Sequence, residues 1–129
     1  MDGYLTSEAL QALNALNAMA PGKKLSGFLI GHKRGHSFFV EKIFPAPLGF
    51  RLNFKNFSRL DRLFQDNVIG FYSLGAGEKQ GKKLFQPFAC GKMYLDGRRS
   101  GRKNLRFKAS LIDFKGGFVL EPIKLILEK

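Results

Sequence analysis

Hydrophobic and polar positions follow two different periods along the chain, and the changes of period separate its elements. From Ala9 to Ala20, apolar residues recur every three or four positions, which predicts an amphipathic helix of about 13 residues. Thr6 or Ser7 can cap the start of this helix with a side-chain oxygen. The pair Pro21-Gly22 ends it, because proline cannot continue a helix. The aliphatic stripe of the helix is predicted to face the core.

The rest of the chain predicts mainly strands. Apolar runs at 25–31 and 38–44 flank a turn and predict a hairpin. The segment 68–73 combines β-branched and aromatic residues, which suit a buried strand, and it opens into a glycine-rich turn. Further strands are predicted at 50–54, 92–95, 105–111 and 118–120, and a short helix is predicted to open at Ser58. The segment 123–127 is predicted as a strand or a short helix.

This order of elements favours one domain over residues 1–129. A chain of 129 residues suits a single domain, and its 44% hydrophobic content with fourteen Phe can fill a core. The order of its elements predicts an α+β fold: a helix comes first, followed by a hairpin, a mixed segment and further strands. In such a fold, helices flank a mixed, mainly antiparallel sheet.

Charge and cysteine content narrow the classes of partner and site. The formal net charge is +12, which favours nucleic acid, an anionic membrane surface or an acidic protein as a partner. The single Cys90 excludes an internal disulfide and a cysteine-based zinc site. The N-terminus shows no signal-peptide pattern, and no apolar run is long enough to span a membrane. We therefore expect a cytoplasmic protein without a membrane span.

Two groups of residues resemble the JAB/MPN domain, the family that includes the JAMM zinc deubiquitinases. The first group is the entry to the helix at 4–10, the strand Gly27-Phe28-Leu29-Ile30-Gly31 and the paired strand at 40–45. The second is Val68-Ile69-Gly70-Phe71-Tyr72, which is similar to the family's Val-Val-Gly-Trp-Tyr strand. The resemblance covers residues 4–77 and implies a JAB/MPN-like, cytidine-deaminase-like α+β fold.

The residues that hold and use zinc in that family are missing from this chain. Active members need two histidines, an aspartate and a general-base glutamate around the metal and its water. The histidine positions match Ser73 and Gly75, the glutamate position matches Lys24, and the aspartate position falls near Gln86. The resemblance therefore implies a metal-free, catalytically inactive domain without a cofactor. Members of this kind act as scaffolds or dimerisation partners.

The glycine-rich turn after the 68–73 strand is the first candidate surface for a ligand or partner. Its free backbone N–H groups and its lysines suit an anion, although a plain flexible loop also explains the composition. The residues of this surface are Ser73, Gly75, Gly77, Lys79, Lys82 and Lys83.

The densest basic cluster is the second candidate surface, for an anion or a nucleic acid. It combines a predicted loop at 98–103 with the exposed face of the next strand, where positive charge can follow a phosphate backbone. Its residues are Arg98, Arg99, Arg102, Lys103, Arg106 and Lys108. A solvated loop, or one that docks an acidic partner, explains the same cluster.

The sequence thus predicts a metal-free protein-interaction or scaffold module whose partner is a protein, with a second copy of the chain as one option. The alternative is a nucleic-acid-binding module that uses residues 98–108. A hydrolase with unrelated chemistry at the Ser73 turn is a third interpretation. His32 and His36 flank the hairpin turn without other ligand-type residues nearby, which indicates a solvated turn and no metal site.

Overall fold

The computed structural model describes residues 1–20, 23–46, 50–75, 81–100 and 104–128. In chain order its elements are β1 (Asp2–Leu5), α1 (Ser7–Met19), β2 (Leu25–Arg34), β3 (Ser37–Pro45), α2 (Phe54–Leu63), β4 (Val68–Leu74), a 3₁₀ turn (Pro87–Ala89), β5 (Met93–Ser100), β6 (Asn104–Phe114) and β7 (Phe118–Leu127). The described strands form one closed barrel in the order β1-β3-β2-β4-β5-β6-β7.

This closed barrel overturns the predicted fold class. The expectation of an α+β, JAB/MPN-like (cytidine-deaminase-like) domain with helices flanking a sheet is wrong, because the sheet closes on itself. Strand β1 makes the closure: it lies between β3 and β7 and runs parallel to both, so that Asp2 is opposite Ser37 on one side and Lys124 on the other. With four residues, β1 is too short for an alternating pattern that would predict a strand from the sequence.

Helix α1 packs its apolar stripe against the interior of the barrel, as its pattern predicts. The side chain of Thr6 accepts a hydrogen bond from the backbone N–H of Ala9 at 3.2 Å, which confirms the predicted cap. Ala9 and Leu13 are buried in the same cluster as Leu5 and Val40 of the strands. The predicted hairpin is also confirmed, since β2 and β3 pair antiparallel on either side of a turn at Gly35.

A second apolar layer covers the outer face of the barrel at β2, β4 and β5. Phe57 and Leu60 of α2 pack there against Phe28, Phe71 and Tyr94 of the three strands. With apolar clusters on both faces, every residue of β4 is buried. This explains the continuous apolar run from Val68, which is typical of a strand covered on both sides.

Two element boundaries differ from the prediction: the start of α2 and the end of β5. Helix α2 begins at Phe54, because the side chain of Asn53 accepts from the backbone N–H of Asn56 at 2.8 Å and caps the helix. There is accordingly no strand at 50–54, and the helix does not start at Ser58. Strand β5 continues to Ser100, so the basic residues at 98–99 lie on a strand rather than in a loop.

Within the described ranges, no helix combines the length and the apolar character needed to cross a membrane.

Candidate functional site

A row of polar residues crosses the outer face of the barrel where β4 and β5 end. These two strands are parallel, so their carboxyl ends lie at the same end of the barrel. Ser73 is opposite Ser26 of β2 and also opposite Asp96 of β5. Asp96 is in turn opposite Lys108 of β6. We call Ser26, Ser73, Asp96 and Lys108 the polar row.

The hydroxyl of Ser73 is engaged inside the protein. Ser73 is fully buried, and its Oγ is hydrogen-bonded to the hydroxyl of Tyr94. Tyr94 belongs to the neighbouring position of β5 and is opposite Ser110 of β6. Ser73 therefore positions the ring of Tyr94 and does not contribute its side chain to an exposed surface.

Asp96 is the buried charge of the polar row. Its residue is 2% exposed, and its Oδ2 accepts a hydrogen bond from Nε of Arg98 at 3.2 Å. Its Oδ1 is buried and has no hydrogen-bond partner among the described residues. A cavity of about 130 Å³ lies beside this carboxylate, and it is lined by Tyr94, Asp96, Lys108, Ser110 and Leu120.

A second, more apolar cavity lies on the other side of Tyr94. It measures about 100 Å³ and is lined largely by aromatic rings, including Phe28, Phe50 and Phe71. Tyr94 lines both cavities, and Ser26 of the polar row lies at this one. The carboxyl ends of β4 and β5 thus combine a polar cavity with an aromatic one.

The predicted glycine and lysine surface is only partly described. Gly75 is exposed with φ of 74°, and a Cβ there would lie 2.5 Å from Nη1 of Arg99, which explains the glycine. Lys82 and Lys83 are exposed. Gly77 and Lys79 lie outside the described residues.

Arg99, predicted to form part of the anion surface, is used internally. Its Nε donates to Oδ1 of Asn17 at 2.6 Å, and its Nη2 donates to the carbonyl oxygens of Ala20 at 3.2 Å and Lys23 at 2.7 Å. It thereby caps the C-terminus of α1, where a positive charge is favourable. Because Arg99 donates these three hydrogen bonds inside the protein, few of its N–H groups remain to contact a nucleic acid.

The other members of the predicted basic cluster are distributed over two strands. Arg98 of β5 and Arg106 of β6 are opposite each other and exposed. Lys108 is exposed at its end of the polar row. Arg102 and Lys103 lie outside the described residues. The described members of the predicted cluster therefore lie on two paired strands.

Sequence reasoning missed an open groove along α2. The groove has a volume of about 410 Å³ and is lined by Phe50, Arg51, Asn56, Arg59, Leu60 and Leu63. Leu63 is 78% exposed and is one of these lining residues. The signal was present as helical spacing of Asn56, Arg59 and Leu63, but the misplaced start of α2 hid it. We call this feature the α2 groove.

Two other titratable side chains, those of His32 and Lys92, interact with neighbouring residues. His32 Nδ1 lies 2.7 Å from Oε1 of Glu41, and its ring stacks on Phe39. Burial lowers the pKa of Lys92, whose Nζ donates to the carbonyl of Val68 at 2.9 Å. In the described part of the chain, no group of three His, Cys, Asp or Glu residues could hold a metal ion.

Comparison with known proteins supports the fold and carries no functional assignment. No family model matches the chain, and no curated protein matches it. Among solved structures it is similar to the solution structure of protein DSY2949 from Desulfitobacterium hafniense, with a TM-score of 0.69 and 19% sequence identity. That match covers 100% of this chain and 94% of the other. The resemblance to the JAB/MPN family stays a prediction.

Proposed function

We propose that the protein is a protein-interaction module that binds an acidic, amphipathic segment of a partner in the α2 groove. The observation that carries this proposal is the exposure of Leu63, which is 78% accessible within a groove that Arg51 and Arg59 also line. The proposed activity is binding, without catalysis by this chain.

The apolar part of the groove supplies the affinity. Phe50 lines it beside Leu63, and Leu60 is already buried, so an aliphatic or aromatic side chain of a partner would cover mainly Phe50 and Leu63. Fully burying one leucine stabilises a contact by about 1.5–3 kcal/mol. An amphipathic helix laid into a groove is a common way to bury such side chains.

The arginines of the groove determine the charge of the partner. Arg51 and Arg59 are exposed, and a guanidinium can bind a carboxylate through two parallel hydrogen bonds. The net charge of +12 adds long-range attraction for an acidic segment and accelerates its association. A basic or neutral segment gains neither contribution, so the groove selects acidic partners.

A labelled peptide tests this proposal. A fluorescein-labelled helical peptide with Leu and Phe on one face and Glu on the other is expected to bind, with anisotropy as the readout. Leu63→Asp and Arg59→Glu should each weaken binding about tenfold or more, which corresponds to about 1.4 kcal/mol. Met19→Asp and Arg34→Glu are matched controls, because Met19 is 80% exposed on α1 and Arg34 is exposed on β2.

Two outcomes would contradict the proposal. A peptide with Lys in place of Glu should not bind, and equal affinity for both peptides would exclude charge selection by the arginines. Equal losses in the groove variants and in the Met19 and Arg34 controls would show that binding does not use the α2 groove.

One observation favours nucleic-acid binding as a second candidate. Arg98 and Arg106 are directly opposite each other on β5 and β6 and are both exposed, which places two guanidinium groups side by side on one face. A phosphate backbone that follows these strands would contact both groups.

Salt dependence tests this second candidate. Binding of a labelled single-stranded oligonucleotide should weaken steeply between roughly 50 mM and 200 mM salt. Arg106→Glu should weaken binding and reduce the slope, whereas Lys42→Glu, an exposed lysine on β3, should have a smaller effect. If the two variants behave alike, the paired arginines are not the binding face.

A further inference from the structure

We infer that the amine of Lys92 condenses with a small aldehyde that carries an anionic group, in a cavity at the amino ends of β4 and β5. The cavity has a volume of about 360 Å³, and its wall includes Lys33, Phe38, Asp66, Val68 and Lys92. It lies at the start of β4, whereas Ser73 of the polar row lies near the end of this strand. None of the described residues that line it belongs to the α2 groove.

The amine of Lys92 is positioned by neutral groups. Its Nζ donates to the backbone carbonyl of Val68 at 2.9 Å and lies 5.4 Å from the centre of the Phe57 ring. Among the described residues, Lys92 forms no ion pair with a carboxylate. A neutral amine can keep one N–H on the carbonyl of Val68, and its lone pair is then available to attack a carbonyl carbon.

The surroundings of Lys92 favour the neutral, nucleophilic form of its amine. Burial lowers the pKa of Lys92 and is the largest effect, and Asp61 and Asp66 oppose this decrease. The positive charge of Lys33 lowers the pKa further. Desolvation and a neighbouring cation are both means by which proteins activate a lysine for imine formation.

Lys33 accounts for the anionic group of the proposed aldehyde. Its Nζ lies 5.2 Å from the centre of the Phe38 ring, which lines the same cavity, and Lys33 forms no ion pair in the described part of the chain. His32 also lines the cavity, but its Nδ1 lies 2.7 Å from Oε1 of Glu41. A carboxylate or a phosphate on the ligand can therefore pair with Lys33 while the aldehyde faces Lys92.

The condensation balances without a further reagent. The lone pair of Nζ forms a bond to the carbonyl carbon, and one amine proton moves to the carbonyl oxygen to give a carbinolamine. This oxygen then leaves as water together with the second amine proton, and a carbon–nitrogen double bond forms. When the imine nitrogen is protonated, it again has an N–H to donate to the carbonyl of Val68.

Reductive trapping on the unmodified protein tests the inference. Succinic semialdehyde carries a carboxylate, and butanal is its uncharged counterpart with the same number of carbons. Sodium cyanoborohydride reduces an imine to a stable secondary amine, and peptide mass spectrometry then measures the modification of each lysine. Near neutral pH, succinic semialdehyde should modify Lys92 about tenfold faster than the exposed Lys42 and Lys55, because a lower pKa leaves more of the amine neutral. Modification of Lys92 no faster than that of Lys42 would overturn the inference.

Two further reagents test recognition of the anionic group. Succinate has carboxylates but no aldehyde, so it should slow the modification of Lys92 and leave that of Lys42 unchanged. Glycolaldehyde phosphate in the same assay distinguishes a phosphate from a carboxylate, since the preferred group gives the faster modification of Lys92. If butanal modifies Lys92 as fast as both anionic aldehydes do, the anionic group is not recognised and the inference is wrong.

Charge variants test the cause of the reactivity. Asp66→Asn removes a charge that raises the pKa of Lys92, so Lys92 should react faster at neutral pH. Asp66 has φ of 63°, which asparagine also adopts. Lys33→Met removes the neighbouring cation and the partner of the anion, so succinic semialdehyde should react several-fold more slowly and lose its advantage over butanal. Unchanged rates in both variants would contradict the inference.

A last pair of variants assigns the reaction to this cavity. Lys92→Arg should leave only the slow modification that the exposed lysines show. Leu63→Asp in the α2 groove should leave the trapping at Lys92 unchanged, so failure of this site and failure of the groove are distinguishable. Loss of trapping in Leu63→Asp, with the protein still folded, would overturn the assignment to a separate cavity.

Discussion

Tyr72 has an unsatisfied polar group in the core. The residue is 2% exposed, and its hydroxyl is buried without a hydrogen-bond partner among the described residues. Burial also raises the pKa of Tyr72 well above its ordinary value, because the phenolate would be charged in an apolar environment. The ring fills the space over Gly27, where a Cβ would lie 2.5 Å from Cε1 of Tyr72. The ring is therefore needed for packing, and the hydroxyl is not.

Replacing Tyr72 by phenylalanine should leave the protein as stable as before or more stable by about 1 kcal/mol, because the buried hydroxyl has no bond to lose. Urea denaturation near neutral pH measures this free energy of unfolding. Tyr94→Phe is the matched control: it should destabilise the protein by about 1 kcal/mol, since Ser73 loses its partner. Equal destabilisation by both variants would contradict the hydrogen-bond assignment.

The raised pKa of Tyr72 also predicts a pH dependence. The unfolded chain releases this proton near pH 10, whereas the folded protein keeps it, so the free energy of unfolding should fall as pH rises above about 10. Below that pH the contribution is fully present. Tyr72→Phe should show a smaller decrease when both proteins are denatured between about pH 8 and pH 11. Parallel decreases would show that other groups cause the alkaline loss.

At the same scale, sequence reasoning identified part of the site. Ser73 was singled out as an exposed candidate, but the strand covered on both faces buries it. Asp96 was not singled out, because its position opposite Ser73 and Lys108 depends on the register of strands that are distant in sequence. A register shift of one residue would have turned these side chains to the other face.

At the scale of elements, the attachment of α1 depends on Arg99 of β5. The last turn of α1 contains no basic residue, and the guanidinium supplies the missing positive charge together with hydrogen bonds to Asn17, Ala20 and Lys23. Hydrogen bonds that involve an ionised donor are stronger than neutral ones. One side chain thus connects the helix to the barrel.

Arg99→Ala should destabilise the protein by about 2–3 kcal/mol, because the buried amide of Asn17 and the last carbonyls of α1 lose a charged donor. Arg106→Ala, at an exposed arginine on the adjacent strand, should change stability by no more than about 0.5 kcal/mol. Urea denaturation of both variants measures the difference. Similar values for the two would mean that Arg99 behaves as an ordinary surface residue.

The elements were predicted correctly where nearby residues determine the structure, and wrongly where the pairing of strands distant in sequence determines it. Helix α1 and the β2–β3 hairpin were predicted from their caps, turn residues and periodicity. The basic stretch of β5 was interpreted as a loop because charged residues suggest solvent, yet its backbone pairs with β6 through Ser100. The start of α2 was missed because Phe50, Leu52 and Phe54 alternate as in a strand.

At the scale of the whole molecule, closure of the barrel depends on the four residues of β1. Leu5 is fully buried within the interior cluster, and β1 pairs with β3 on one side and β7 on the other. No periodic signal exists in so short a segment, so sequence reasoning assigned these residues to the approach of a helix. The predicted mixed, mainly antiparallel sheet therefore lacked the strand that closes the barrel.

Leu5→Ala should destabilise the protein by about 2–5 kcal/mol, because it leaves a cavity where β1 meets the core. Leu127→Ala, at a position that is 45% exposed and opposite Leu5 on β7, should cost clearly less. Thermal and urea denaturation measure the two values. A small effect of Leu5→Ala would show that the barrel does not depend on β1 for its stability.

The position of β1 also sets an order of events during synthesis. Among the described strands, β1 is translated before the others and can pair with β3 as soon as the hairpin has emerged from the ribosome, but its second neighbour, β7, spans residues 118–127. The nascent chain must therefore keep one edge of β1 unpaired until almost all of the described chain has been translated. An exposed strand edge of this kind is a site for pairing between chains. On a polysome, where many nascent chains carry an unpaired edge of β1 at once, the time until β7 is translated would determine how much of the protein closes its own barrel.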